Sequence, residues 1–410
     1  MPHVLVVGAG VAGLAATRRL RADGVDVTLV EASGRIGGRA HTVEIGAHGF
    51  DRGASWLHDA ERNPLTGLAQ AQGAGLIDCD ALRTRRVLVG NRRADPAELA
   101  QRKAAFAVMD QLTPPPSDVF ADAIDPHREN PWMATLEAWE ACQIAAADPA
   151  DLSFADFRAN ELNGGNRIIA GGLGAFIARC LATTVELATP VTALDWRGPI
   201  RAETPRGTIV ADVAIVTVSM GALAGIRFTP ELPFALEGLP MGLLTKVALR
   251  ASGAGRLGLA AEESVSAQIT QGAPMLSVLA WPGGADHLVA FIGGPTAWAL
   301  HREGAAATED FVRGRLRDWF GQEADLALGE AVVADWAADP WQRGAYAYAK
   351  PGQAGLRAAL AQPQRQLLLA GEALCTDGLA GTVGGAFLDG ERAAITAMSI
   401  CRHPPAGSAR

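Results

Sequence analysis

The chain opens on an uninterrupted apolar run, Val4-Leu5-Val6-Val7, which predicts a parallel strand buried on both faces. The glycine-rich stretch Gly8-Ala9-Gly10-Val11-Ala12-Gly13 follows, and the apolar spacing then turns helical from Leu14 to Leu20. Further buried strands are predicted over Val25 to Val30, Val213 to Val218 and Leu367 to Leu369, the last running into Ala370-Gly371-Glu372. A second glycine-rich stretch, Gly381-Thr382-Val383-Gly384-Gly385-Ala386, leads into a helix from Phe387 to about Met398. Leu243 to Leu249 reads as an apolar strand carrying Lys246, and Gly344 to Tyr348 alternates so that Tyr346 and Tyr348 share one strand face. Strands alternating with helices make the fold class α/β.

The first strand, turn and helix form a dinucleotide fingerprint. Gly8 permits the tight turn, Gly10 lets a pyrophosphate approach backbone N–H groups, and Gly13, next to Ala12, lets the helix pack on the strand. The helix N-terminus adds about half a positive charge. Glu31 ends the second strand, 18 residues after Gly13, where an acid accepts hydrogen bonds from the adenosine ribose and disfavours a 2′-phosphate. NADP is therefore not expected, while NAD and FAD fit the fingerprint alike.

The residues beyond it separate the two. Gly34-Arg35-Ile36-Gly37-Gly38-Arg39, Asp51-Arg52-Gly53-Ala54-Ser55-Trp56, Thr189-Pro190-Val191, Leu367 to Glu372 and Gly381 to Ala386 resemble motifs of the flavin amine oxidase family. That family includes monoamine oxidases, polyamine oxidases and a histone-demethylating branch. The resemblance runs from Met1 to about Met398 and is thin over Leu76 to Asn163 and Ala251 to Glu330. It implies FAD. By the resemblance, Arg35 and Arg39 neutralise the diphosphate, and Gly38 lets the backbone lie against the cofactor. The main chain of Gly53, Ala54, Ser55 and Trp56 passes the isoalloxazine ring, and a strand at Val191 contacts adenine. Gly371 and Glu372 close the site, Glu372 on the ribityl chain. The helix N-terminus at Thr382, Val383 and Ala386 faces the flavin pyrimidine edge, where it stabilises the anion formed on reduction.

The same resemblance assigns the chemistry to Lys246, Tyr346 and Thr382. Lys246 is one of three lysines in the chain, and a lysine in an apolar strand needs a polar partner; in the family it holds a water near flavin N5. Tyr346 matches an aromatic wall of the substrate pocket. Thr382 stands where many members place a second aromatic, so Trp132, Trp281 and Trp298 are candidates for the missing wall. Ala345 stands where monoamine oxidases carry the flavin-linking cysteine, which implies noncovalent FAD. The implied reaction is hydride loss from the carbon beside a small-molecule amine to flavin N5, hydrolysis of the imine, and reoxidation by oxygen to hydrogen peroxide. An L-amino-acid oxidase or desaturase shares the nucleotide motifs, with Arg250 a candidate carboxylate clamp, and an idle flavoprotein scaffold is the reading from another class.

Composition narrows the rest. At 410 residues the chain exceeds one core, so two domains are expected. The FAD-binding, Rossmann-like domain is discontinuous, over 1–75, 164–235 and 345–400. The mixed α+β substrate domain takes 76–163 and 236–344, and 401–410 is a polar tail. The net charge of −8 argues against nucleic acid. From Ser117 to Leu162 ten acidic residues face two arginines, an excess equal to that of the whole chain, and this stretch is expected to attract cationic amines at the pocket entrance. Five scattered cysteines without zinc spacing predict a reducing, cytoplasmic setting and no metal. No apolar run is long enough for a membrane span. Nothing in the sequence speaks to oligomeric state.

Overall fold

The computed structural model describes residues 2–253 and 255–403. Its nucleotide sheet has four parallel strands in the order Asp26–Val30, His3–Val7, Val213–Val216, Leu367–Leu369. Three distant stretches of chain thus build one sheet. The continuous apolar runs are explained by burial on both faces: Val4 and Val6 enter one core and Leu5 and Val7 another, as period-2 alternation requires. Helices Val11–Ala22 and Val383–Arg402 cover the first face, and the mixed sheet containing Ala193–Asp195 and Ile200–Thr204 covers the second.

Close approach at two glycines fixes these helices. A Cβ on Gly13 would fall 1.9 Å from the Gly8 carbonyl oxygen, and one on Gly390 would fall 2.1 Å from that of Ala12. The first and last helices of the chain therefore touch backbone to backbone. The last helix starts at Val383, ahead of the expected Phe387, because the Thr382 hydroxyl caps it by accepting from the Gly385 N–H at 3.0 Å. It also continues to Arg402, since Ile400 and Cys401 still pack on the nucleotide core. Cys401 and Arg402, expected in the polar tail, are helical, and 404–410 lie outside the described residues.

The substrate side centres on a seven-stranded mixed sheet in the order Leu328–Ala334, Leu244–Ala251, His287–Gly293, Ser277–Leu279, Glu263–Ala267, Thr84–Val89, Arg92–Arg93. Neighbours are antiparallel except Glu263–Ala267 with Thr84–Val89. Helices Gly294–Glu303 and Ala305–Phe320 cover one face. The other face turns toward the nucleotide part. The acidic stretch folds into short helices around Phe120, Trp132 and Phe154. Two pairings cross the expected boundaries: Leu76–Asp78 joins Arg167–Ile169, and Met241–Gly242 joins Tyr346–Ala347.

Candidate active site

A cavity of about 870 Å³ lies between the two sheets and is lined by residues from Gly8, Gly10 and Glu31 through Lys246 and Tyr346 to Arg85 and Arg102. Its first part forms where the parallel strands end, the usual ligand position in such sheets. The space above Gly10 is open, with no atom within 4 Å of where a Cβ would sit. Gly13, by contrast, is spent on packing and does not line the cavity. Glu31 is buried and accepts from the Ala9 N–H at 2.7 Å and the Ser33 N–H at 2.8 Å. Each carboxylate oxygen keeps a lone pair for a ligand hydroxyl. The open glycine turn, the helix N-terminus and this acid fit an adenine dinucleotide.

Arg39 and the segment around Glu372, more than 300 residues apart in sequence, meet in the middle of the cavity. Glu372 is buried and receives Arg39 Nη1 at 2.8 Å, and the same Arg39 nitrogen donates to the Ala345 carbonyl at 2.7 Å. Asp389 holds the turn before Glu372 by accepting from the Gly371 N–H at 2.8 Å. Gly38, Gly53, Ala54, Ser55, Trp56, Val191, Gly371, Thr382, Val383 and Ala386 line the wall beside them. At the N-terminus of the Val383 helix the first amides have no intrahelical acceptor, so this end presents donors to the cavity.

Lys246 lies in the second of the seven strands and is buried, so it does not reach solvent at an edge. Its ammonium donates to the Asp51 carbonyl at 3.2 Å, to the Ser55 hydroxyl at 2.6 Å and to the Gly53 carbonyl. Three donors meet three acceptors from the protein. The ammonium also sits 5.2 Å from the Trp56 ring centre and 5.7 Å from that of Phe291. Burial lowers its pKa to about 8. Tyr346 donates its hydroxyl to the Ile144 carbonyl at 2.8 Å, and burial holds its phenol above the usual range.

The outer part is built from residues that the motifs did not single out. Trp139, Glu140, Gln143 and Ile144 line it from the π-helical turn Ala138–Ile144, a rare geometry that concentrates at functional sites. Glu140 is half-buried at its surface yet enclosed by the cavity walls, and this desolvation raises its carboxyl to about 7. Asn166 gives its amide protons to Asp80 at 3.0 Å, which leaves its carbonyl oxygen for His58 Nδ1 at 2.7 Å. The Nδ1–H tautomer of His58 follows. Burial lowers the His58 pKa, keeping the ring neutral, with its Nε2 an acceptor.

Several expectations change. Arg35 does not line the cavity; it donates to the Gly38 carbonyl at 2.7 Å and lies over Trp336, so it braces the loop instead of facing a diphosphate. Arg52, expected only for its backbone, does line the cavity. Thr189-Pro190-Val191 precedes the strand Ala193–Asp195 instead of forming one, Pro190 having no N–H to donate. The Thr382 hydroxyl is fully used, donating to Leu379 and capping the helix, so Thr382 positions the helix end. Trp132 and Trp281 are buried in other cores and Trp298 packs beside the second, so none of the three lines the cavity, whereas Trp56, Phe291 and Trp139 are among the aromatic side chains that do. Arg250 pairs with Asp286 outside the cavity. Asp118, Asp122 and Asp125 do not line it either; Asp118 binds Ser153 and the N–H groups of Ala155 and Gly352.

Comparison with known proteins agrees with this arrangement. Residues 113–397 match the family described as flavin containing amine oxidoreductase, and residues 6–70 match an NAD(P)-binding Rossmann-like domain. The chain is 28% identical over 452 residues to "Probable polyamine oxidase 4" of Arabidopsis thaliana, covering 98% of this chain and 87% of that protein. It is 29% identical over 409 residues to "Lysine-specific histone demethylase 1 homolog 1" of Oryza sativa subsp. japonica, covering 86% of this chain and 47% of the relative. A putrescine oxidase structure with bound putrescine shares the fold at a TM-score of 0.75 and 19% identity, over 97% of this chain and 99% of that one.

Proposed function

Because the chain belongs to the flavin-containing amine oxidase family, we propose that this FAD-dependent oxidoreductase oxidises an aliphatic amine and passes the electrons to oxygen. The observation that carries the reading is the convergence of Lys246, the Asp51 to Trp56 segment and Tyr346 on one cavity. FAD, when bound, would supply the electron sink, taking a hydride from the carbon beside the nitrogen; hydrolysis of the imine and return of the two electrons to oxygen as hydrogen peroxide would complete the reaction.

The chain's own residues bind and orient. The Gly8 to Gly10 turn and Glu31 would hold the adenosine and pyrophosphate, Glu372 with Arg39 the ribityl region, and the helix end at Thr382 the pyrimidine edge. Trp56, Phe291 and Tyr346 would exclude water and place the amine carbon. Neutral His58 keeps an acceptor nitrogen on the same wall, available to a substrate N–H. No cysteine lines the cavity, which supports noncovalent FAD. The five free cysteines support a cytoplasmic setting, and no helix among the described residues is long and apolar enough to cross a membrane.

The test is anaerobic mixing of the FAD-loaded protein with a panel of aliphatic amines, followed by admission of oxygen. Bleaching of the flavin by an amine and stoichiometric peroxide on reoxidation are expected. A flavin that no amine bleaches would overturn the proposal.

A further inference from the structure

Three arginines line the cavity beyond the aromatic wall: Arg83, Arg85 and Arg102. Among the described residues none of the three has a carboxylate partner, and the Nε atoms of Arg83 and Arg102 are buried without any acceptor. Their neighbour Arg86 shows how this chain treats a structural arginine. It points to the opposite face of its strand and pairs with Glu263 at 2.7 and 3.0 Å. Arg85 alternates away from that pair, toward the cavity.

Strand register relates this cluster to Lys246. Arg85 pairs with Ser264, Ser264 with Leu279, Leu279 with Val289 and Val289 with Ala248, two residues along the same strand from Lys246. Partners across a sheet share a face, so Arg85 and Lys246 stand on one surface four interstrand steps apart, roughly 19 Å at about 4.8 Å each. Arg102 approaches from helix Pro96–Ala107 with its guanidinium 4.1 Å from the Phe106 ring centre, and the nearby charge of Arg85 adds to burial in lowering its pKa.

Like charges gathered without a partner are unfavourable, although Arg85 is exposed to solvent, and the acids in the same part of the cavity offset them only in part. Asp80, held by the neutral amide groups of Asn166, keeps a single negative charge against three arginines, while Glu161 is paired with Arg158 at 2.9 Å and Glu140 is only part-ionised near neutral pH. A polyamine would bring further positive charge to this end. A ligand carboxylate or phosphate would instead meet planar guanidinium forks suited to it.

We propose that Arg83, Arg85 and Arg102 form a specificity site for an anionic oxygen group, carboxylate or phosphate, carried at the far end of the amine substrate. The amine would lie beside Lys246 and Tyr346 and the anion at the arginines, so the substrate is an elongated amino acid or amino phosphate and not a polyamine. This rests on the amine-oxidase reading above.

The FAD-loaded enzyme is tested with α,ω-diamines, ω-amino carboxylates and ω-aminoalkyl phosphates of matched chain length, read by anaerobic flavin bleaching. The anionic series are expected to exceed the diamines by about ten-fold or more in kcat/KM, and the better of the two identifies the anion. Arg85→Glu combined with Arg102→Glu should invert that ranking through KM more than kcat, while Lys at both positions keeps part of it. Diamines preferred by the unaltered enzyme, or a ranking indifferent to charge reversal, would overturn the proposal. Binding of unreactive alkanedioates and alkyl phosphates, followed by the flavin spectrum, judges the site without turnover. If no amine bleaches the flavin but these anions bind and lose affinity on charge reversal, the reaction is wrong and the arginine site stands. If amines react but no anion binds, the site falls alone. Flavin content and the thermal midpoint of each variant establish that it is folded.

Discussion

The hydroxyl of Tyr346 reaches across 202 residues of sequence to the carbonyl of Ile144, at 2.8 Å. That carbonyl ends a π-helical turn, where the last carbonyls lack intrahelical donors, so the phenol closes the turn and the turn fixes the ring. Tyr346→Phe keeps the ring and loses the bond, with an expected cost of about 1 kcal/mol in stability and a few-fold in kcat. Tyr346→Ala removes the wall and should lower kcat/KM by about ten-fold or more. Steady-state kinetics showing an unaltered Ala variant would exclude Tyr346 from the substrate pocket.

Lys246 carries its charge against the expected flavin position with all its protons committed to protein acceptors. Its effect on oxygen then comes from that charge. Lys246→Met should bind FAD and be reduced by amine, yet reoxidise about ten-fold or more slowly in stopped-flow. Since the lowered pKa is about 8, reoxidation by the unaltered enzyme should fall as pH rises through that value, and the Met variant should be flat. Equal reoxidation rates would leave Lys246 as a tie for the Asp51 to Trp56 segment.

Glu140 titrates in the opposite sense, its folded pKa of about 7 lying above the ordinary value of 4.5. A raised carboxyl pKa gives the folded state stability at acid pH that is lost as pH climbs through 7. Glu140→Gln should therefore be more stable than the parent above neutrality, by roughly 1–3 kcal/mol, and equally stable at low pH. Thermal midpoints across this range are the check. A variant less stable at every pH would mean that the carboxylate is stabilised by a partner.

The flavin should leave on acid precipitation. Ala345 has no nucleophile to offer, and no cysteine lines the cavity. A pellet that stays yellow after washing would show a covalent link.

Arg357 and Asp156 are both buried and form two contacts, Nε to Oδ1 at 2.6 Å and Nη2 to Oδ2 at 2.8 Å. Arg357 also holds the carbonyls of Ala347 and Ala373, so the pair ties the helical region to both neighbours of the Tyr346 and Glu372 segments. Removing one partner strands a buried charge: Arg357→Met should cost about 3–5 kcal/mol, seen as a lower thermal midpoint. Adding Asp156→Leu to it should recover part of the loss.

The sequence exposed the nucleotide half plainly because its function is done by backbone. Gly10 must leave space, Gly13 must allow contact, and apolar runs must fill both faces of a parallel sheet; such demands show as residue types at fixed spacing. Lys246 was legible for a different reason, as a scarce lysine where only a satisfied charge survives. The outer cavity left no comparable mark. Arg83, Arg85 and Arg102 look like any of the chain's many arginines until the fold shows which ones find a carboxylate. Glu140 was one of ten acids in a charged stretch, and only folding separates it from Asp118, which binds backbone, and Asp156, which is buried in a pair. The tryptophan candidates failed similarly, since Trp132 and Trp281 fill cores with the side chain that a pocket wall would also use.

The nucleotide sheet also sets a timetable for the growing polypeptide. His3–Val7 finds one neighbour, Asp26–Val30, almost at once, but the order of the sheet makes it wait for Val213–Val216, which in turn waits for Leu367–Leu369. At about 5–20 residues per second, that interval is on the order of twenty seconds to over a minute, during which apolar strand edges stand open on the ribosome. The helix that closes the site, Val383–Arg402, is synthesised after all four strands and rests on Ala12 of the first helix. Cofactor capture by the nascent protein thus requires that translation has passed Leu367–Leu369 and the helix after it, and a chain released before that point has no closed sheet with which to hold a flavin.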